Sequence, residues 1–316
     1  MKRIGILTSG GDCQGLNAAI RGVGKTLYER FDRKVEVLGI LDGYRGLIEG
    51  DARPLQHADF SGILTSGGTI LGTSRQPFKE VSAVGEAGNM PKIEAMKDNY
   101  RKMKLDCLVI LGGNGTHKTA NLLSQEGLNI ITLPKTIDND LWGTEMTFGF
   151  ASALDIATNV LDCIRTTADS HSRIFIVEIM GHKVGWLPLY AGMAGGADVI
   201  LIPEIPYNID DVVNSLNLRD HQKKRFCIVA AAEGAISQEE AAMSKKERKN
   251  SRIHMPYPSI AYRIAQEIVE RTGRETRVTV PGHFQRGGPP AQPTASWQPV
   301  SVRRPWNAST RGISGT

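Results

Sequence analysis

No apolar run among the 316 residues is long enough to cross a bilayer. The N-terminus also lacks the apolar stretch of a secretory signal and opens directly on the strand-like Arg3-Ile4-Gly5-Ile6-Leu7. No membrane partner is expected, and a cytoplasmic protein is. Cysteine is scarce: residues 13, 107, 163 and 227 lie far apart, with no C-x-x-C pair and no histidine at zinc spacing. That excludes a disulfide framework or zinc site and fits a reducing cytosol. A long basic run with interleaved aromatics is missing too. Lys245-Lys246-Glu247-Arg248-Lys249 reads as a solvated loop or helix, so no nucleic-acid partner is expected. The net charge of +5 misleads here, because residues 287–316 hold three arginines and no acid, leaving about +2 for the rest.

With 41% hydrophobic and 22% charged residues, what remains is an ordinary globular composition, long enough for two domains. Short apolar runs alternate with helical patterns, the signature of an α/β protein with parallel sheets. Strands are predicted at 3–8, 35–40, 107–111, 129–133, 173–180, 197–202 and 226–231, and helices at 16–30, 147–166 and 258–270. Segments 139–146 and 181–196 are rich in glycine and polar residues. They read as loops at the sheets' carboxyl edge, where α/β proteins bind ligands. After Gly288 the chain changes character: five prolines and two of the four tryptophans appear, with neither helical nor strand periodicity. A disordered tail or a frame-shifted translation would each produce that change.

Two glycine-rich turns follow strands and lead into helical patterns: Thr8-Ser9-Gly10-Gly11-Asp12 and Gly112-Gly113-Asn114-Gly115-Thr116. Backbone N–H groups at such helix starts can hold an anion, although a tight structural turn has the same pattern. Gly24-Lys25-Thr26 imitates the end of a phosphate-binding P-loop, but Ala19 replaces the required glycine and the segment lies within a helical pattern. A third element, Pro134-Lys135-Thr136-Ile137-Asp138-Asn139-Asp140, places two carboxylates at i and i+2 after a strand. One can accept a hydroxyl proton while the other helps with a metal; an Asx turn or helix cap is the structural alternative.

Taken together, "LTSGGD", "GGNGT" and "PKTIDND" resemble the phosphofructokinase family. The resemblance continues through Gly43-Tyr44, Gly72-Thr73-Ser74-Arg75, Ser170-His171-Ser172-Arg173, Glu178-Ile179-Met180-Gly181, Gly273-Arg274-Glu275-Thr276-Arg277 and Gly282-His283-Phe284-Gln285-Arg286-Gly287-Gly288. It implies two Rossmann-like three-layer domains with mostly parallel sheets. A nucleotide-binding domain is expected over 1–138, a sugar-phosphate-binding domain over 139–280, and an atypical tail over 281–316. The implied reaction is phosphorylation of the 1-hydroxyl of fructose 6-phosphate by ATP with Mg2+, a glycolytic step giving fructose 1,6-bisphosphate. The implied assembly is a homotetramer.

By the same resemblance, Asp138 is the base, Thr136 and Asp140 shape its loop, and Arg75 stabilises the transferring phosphoryl group. Gly11, Arg75, Gly113, Asn114, Gly115, Thr116 and Lys135 would hold the donor. Thr136, Asp138, Met180, Gly181, His182 and Glu233 would contact the sugar, and Arg173, Arg277, His283 and Arg286 its phosphate. Arg173 and Arg277 match positions that reach into a neighbouring subunit's site. His182 stands where arginine is common, and Asn114 where an aspartate helps hold magnesium, so any metal contact there is weak or water-mediated. Gly115 favours ATP, because pyrophosphate-using relatives carry an obstructing aspartate there, whereas Lys135 is typical of those relatives. A pyrophosphate-dependent enzyme, a non-catalytic sugar-phosphate-binding homologue, and a lipid or NAD kinase sharing the glycine loop are the alternatives. Among the other histidines, His57, His117, His221 and His254 are expected at the surface or in loops.

Overall fold

The computed structural model describes residues 1–32, 34–83 and 90–291. The atypical composition from 292 to 316 lies outside the described residues. Two compact units form: residues 1–152 with the described residues from 286 onward, and residues 153–285.

The first unit is built on six strands: β1 Lys2–Thr8, β2 Val35–Ile40, β3 Ala52–Pro54, β4 Cys107–Gly112, β5 Ile130–Thr136 and β6 Phe148–Gly149. Their order is β3-β2-β1-β4-β5-β6, parallel except for the edge strand β3. Because β6 pairs beside β5, this unit extends past residue 138. Helices α1 Leu16–Arg30, α2 Tyr44–Glu49, α3 Lys92–Lys102 and α4 Asn114–Gln125 cover the sheet. Strand periodicity divides the core. Leu108 and Ile110 of β4 pack with Tyr44, Leu47, Met96, Tyr100, Ala120 and Leu123 of α2, α3 and α4. The alternating Val109 and Leu111 are equally buried on the opposite face.

The second unit carries an all-parallel sheet ordered β10-β7-β9-β8, with β7 Ile174–Ile179, β8 Val199–Leu201, β9 Cys227–Ala232 and β10 Thr276–Thr279. Its helices are α5 Phe150–His171 (whose first turn belongs to the first unit), α6 Trp186–Ala194, α7 Ile209–His221, α8 Gln238–Ala242, α9 Lys245–Ile253 and α10 Ile260–Thr272. Ile174 and Ile176 of β7 meet Val212 and Leu216 of α7 and the Ile260, Ile264 and Ile268 stripe of α10. Such continuous apolar strands are what a sheet covered on both faces requires.

The prediction of a loop over 181–196 is corrected: α6 occupies most of it, with Leu187, Pro188, Ala191 and Gly192 buried. Its glycines conceal a helix stabilised by packing rather than by propensity. The four cysteines are free, three of them buried. Among the described residues no helix is long and apolar enough to cross a membrane.

Candidate active site

Within the first unit, the carboxyl ends of β1, β4 and β5 open into a cavity of about 340 Å³. All residues predicted to serve the phosphoryl donor and the chemistry line it: Gly11, Arg75, Gly113, Asn114, Gly115, Thr116, Lys135, Thr136, Asp138 and Asp140. Residues far apart in sequence thus meet because parallel strands deliver their loops to one edge.

Helix α4 begins at Asn114 on the wall of this cavity, and its N-cap Gly113 supplies no side-chain cap. No acidic residue stands in its first turn, so the amides and positive end of a 12-residue helix are left for an anion. Nothing lies within 4 Å of where a Cβ on Gly115 would stand. The turn is braced from below by buried Tyr44, whose hydroxyl donates to the Thr116 carbonyl at 2.8 Å. Burial also pushes the Tyr44 pKa far up, so it remains a neutral donor.

The three cations at the cavity are held differently. Arg75 is exposed on a loop tied to the first glycine turn: the Gly10 amide donates to the Ser74 carbonyl at 2.9 Å, and the Thr73 hydroxyl to the Gly10 carbonyl at 2.7 Å. Lys135 is only 3% exposed, and its ammonium donates to the Gly11 carbonyl. Burial lowers its pKa, so a bound anion would be doubly welcome: it repays desolvation and stabilises the charge. Arg286, expected among the sugar-phosphate ligands, lines this same cavity. Its guanidinium crosses Gly11 so closely that a Cβ there would lie 2.9 Å from Nη1.

Asp138 sits half-buried after β5, its amide donating to the Thr136 hydroxyl at 3.1 Å. The following loop is fastened by Asn139, which accepts from the Thr147 amide at 2.9 Å, and by the Thr147 hydroxyl on the Thr136 carbonyl at 2.7 Å. Asp12 adds a third carboxylate to the cavity lining; only its place in the "SGGD" turn hinted at this. Asp12, Asp138 and Asp140 do not form a metal cage, and the described residues hold no cluster of three or more metal-ligating side chains. Neutral Asn114 beside three carboxylates that form no cage suits magnesium arriving on donor phosphates, not a resident ion.

Cys13 lies buried near these charges and donates to the Phe148 carbonyl at 3.3 Å. Burial pushes its thiol pKa up to about 12, which keeps it an inert packing residue. His117 departs from its expected surface role. Its half-buried ring Nε2 bridges the Gly112 carbonyl at 3.0 Å and the Leu133 carbonyl at 3.4 Å, linking the ends of β4 and β5, and burial lowers its pKa.

In the second unit, Met180, Gly181, His182 and Glu233 come together at the ends of β7 and β9. Glu233 Oε1 accepts from the His182 amide at 2.6 Å and the Gly181 amide at 3.2 Å. The Met180 amide donates to Gln285 at 3.0 Å, a buried partner that sequence reasoning did not single out. His182 holds a left-handed φ of 52°. Arg173 and Arg277 meet on Glu275, whose carboxylate accepts from Arg173 Nε at 2.8 Å and also pairs with Arg277. Arg173 holds the Glu275 pKa below the usual carboxylate range. His283 lies on a 3₁₀ turn over Gly282–Arg286.

The geometry can be set beside known proteins. The family model described as "Phosphofructokinase" matches residues 3–294. An ATP-dependent 6-phosphofructokinase of Spirochaeta thermophila is 59% identical over 293 residues, covering 92% of this chain and 79% of its own. A pyrophosphate–fructose 6-phosphate 1-phosphotransferase of Amycolatopsis methanolica is 43% identical over 289 residues, covering 91% of this chain and 81% of its own. A solved phosphofructokinase from Saccharomyces cerevisiae superposes with a TM-score of 0.81 at 30% identity, spanning 96% of this chain and 41% of the yeast chain. Motifs, fold and a match running through both units agree, and the chain belongs to the phosphofructokinase family.

Proposed function

We propose that this protein is an ATP-dependent 6-phosphofructokinase, a glycolytic phosphotransferase that moves the γ-phosphoryl group of ATP to the 1-hydroxyl of fructose 6-phosphate. The observation that carries this reading is the cavity where an uncapped helix start, Lys135 and Arg75 share walls with Asp138. Phosphoryl transfer asks chiefly for alignment and charge neutralisation, and these residues supply both.

In this reading the α4 amides and Lys135 seat the donor phosphates, while Arg75 neutralises charge on the group in flight. Lys135 has a three-proton ammonium, of which the Gly11 carbonyl takes one. Asp138 accepts the proton of the attacking hydroxyl, with Thr136 and Asp140 fixing its loop. Magnesium bound to the donor phosphates would withdraw charge from the leaving group. Asn114, beside Asp138 and Asp140, would touch that ion weakly or through water. Glu233, Met180, Gly181 and His182 contact the sugar, and Arg173, Arg277, His283 and Arg286 its 6-phosphate.

The open space at Gly115 supports ATP, because a nucleotide's α-phosphate needs that room. A second reading, pyrophosphate as donor, draws on the buried cation of Lys135, but filling Gly115 decides access more strongly than one added charge. We assign the protein to the cytoplasm as a homotetramer, in which Arg173 and Arg277 serve a neighbouring subunit's site. An exposed apolar row on α6, formed by Trp186, Tyr190 and Met193, supports self-association.

Purified protein assayed with fructose 6-phosphate and either ATP or pyrophosphate, beside Asp138→Asn, tests the proposal. ATP should be preferred, and the variant should lose roughly 10²–10⁴-fold in kcat. Turnover with neither donor would replace this reading with a sugar-phosphate-binding role.

A further inference from the structure

Helix α9 is an anomaly of packing. None of the residues in Lys245–Ile253 is buried, and its one large apolar side chain, Ile253, is 64% exposed. Burial of an apolar face therefore does not explain why this helix sits where it does. What ties it down is Arg252. Its Nε donates to Glu240 Oε1 at 3.1 Å and its Nη2 to Glu240 Oε2 at 3.4 Å. The same guanidinium reaches two backbone carbonyls, Glu233 at 3.5 Å through Nη1 and Ala235 through Nη2.

Glu240 is the anchor. Only 3% exposed, it also accepts from Arg263 at 2.7 Å and from the Ser237 amide at 3.1 Å. Burial alone would raise its pKa, but Arg263, Ser237 and Arg252 together bring it down to about 2. The anchor consequently stays charged throughout the working pH range. Arg263 in turn donates to the Tyr207 hydroxyl at 2.9 Å and stands 3.7 Å from Glu267.

The turn gripped by Arg252 carries Glu233, whose Oε1 holds the Gly181 and His182 amides. The two strand-end turns also meet backbone to backbone: a Cβ on Gly234 would lie 2.0 Å from the His182 carbonyl oxygen. A displacement of the 233–235 turn must therefore move the Glu233 carboxylate or push His182. A carboxylate has about four lone-pair sites, so Glu233 can take a sugar hydroxyl while keeping both amides.

We propose that Arg252 is a positioning residue for sugar binding, acting through Glu233, and that α8 and α9 form a clasp whose purpose is to hold that carboxylate in place. The inference rests on the reading that Glu233 contacts the sugar. Arg263 stays paired to Glu240 when Arg252 is removed, so Arg252→Met leaves no solitary buried charge. Arg252→Lys retains a charge for Glu240 but not the planar fork that reaches a carboxylate and two carbonyls together.

The test is a double-mutant cycle on the full chain, combining Arg252→Met with Glu233→Gln and measuring KM separately for fructose 6-phosphate and ATP. Arg252→Met should raise KM for the sugar phosphate about tenfold, the order of one weakened charged hydrogen bond, and leave KM for ATP unchanged. Arg252→Lys should lie between wild type and Arg252→Met. In the Glu233→Gln background, Arg252→Met should add less than about twofold, because its route of action is already cut. Hydrogen exchange should quicken at the Gly181 and His182 amides in Arg252→Met and not across the whole second unit. If Glu233→Gln itself leaves the sugar KM unchanged, the sugar-contact reading falls and takes the clasp with it. If Glu233→Gln raises that KM while Arg252→Met does nothing, weakens both substrates alike, or adds independently, the clasp alone is overturned.

Discussion

Replacing Gly115 by aspartate puts the donor assignment under the sharpest strain. The position lies in the first turn of α4, on the cavity wall, with nothing within 4 Å of the would-be Cβ. The new side chain needs no rearrangement of the protein. An acid in a helix's first turn also interacts favourably with the dipole, by about 0.3–1 kcal/mol, so the variant should be at least as stable as the parent. Against ATP the change is costly. A carboxylate about 5 Å from the α-phosphate charge, at an effective dielectric near 20, repels it by about 3 kcal/mol before any steric term. That corresponds to roughly two orders of magnitude in kcat/KM for ATP. Pyrophosphate has no α-phosphate beyond the reacting pair and should lose far less, so the donor preference should narrow or invert. Initial rates with each donor at saturating fructose 6-phosphate, beside a thermal melt, measure all of this. A well-folded variant with undiminished use of ATP would refute the placement of the nucleotide over Gly115.

Asn114→Asp should lower the magnesium concentration needed for half-maximal rate, since a carboxylate in the cavity replaces a neutral acceptor; a magnesium titration showing an unchanged or higher requirement would count against the role given to Asn114. His117 makes a pH prediction. Its pKa is lowered by burial, so the unfolded chain takes up a proton first as pH falls. The stability it contributes is complete above its ordinary value near 6.5 and is lost as pH drops through the lower folded value. His117→Gln should flatten that acid-side loss in denaturant titrations between about pH 7 and 5; an identical slope in both proteins would remove His117 as its source.

The parts legible in the sequence share a physical cause, and so do the parts that were not. Central strands such as β1, β4, β7 and β9 showed themselves because a strand covered on both faces carries a near-continuous apolar run. The short edge strands β3 and β10 bury less, and β6, though buried, is only two residues long, so none carries a comparable pattern. Helix α6 was hidden for the opposite reason: it is apolar without periodicity, and its one glycine, Gly192, permits close packing against Ile200 and Ala230. The donor loops could be read because each needs glycine or charge at one place in a short stretch of chain. Their bracing could not, because it spans the sequence: Tyr44 to Thr116 and Thr73 to Gly10, just as Arg252 to Glu233 does in the second unit. A tyrosine or arginine that steadies a site through a backbone carbonyl leaves no motif, since any loop passing nearby presents the same carbonyl. The candidate reacting groups are therefore written locally in this chain, whereas their placement to within an ångström is a property of the fold. Asp138 shows both halves of that division. The motif that marks it as a candidate base by resemblance is seven consecutive residues, but its loop is also held from outside that stretch, where Thr147 returns to the Thr136 carbonyl and the Asn139 side chain.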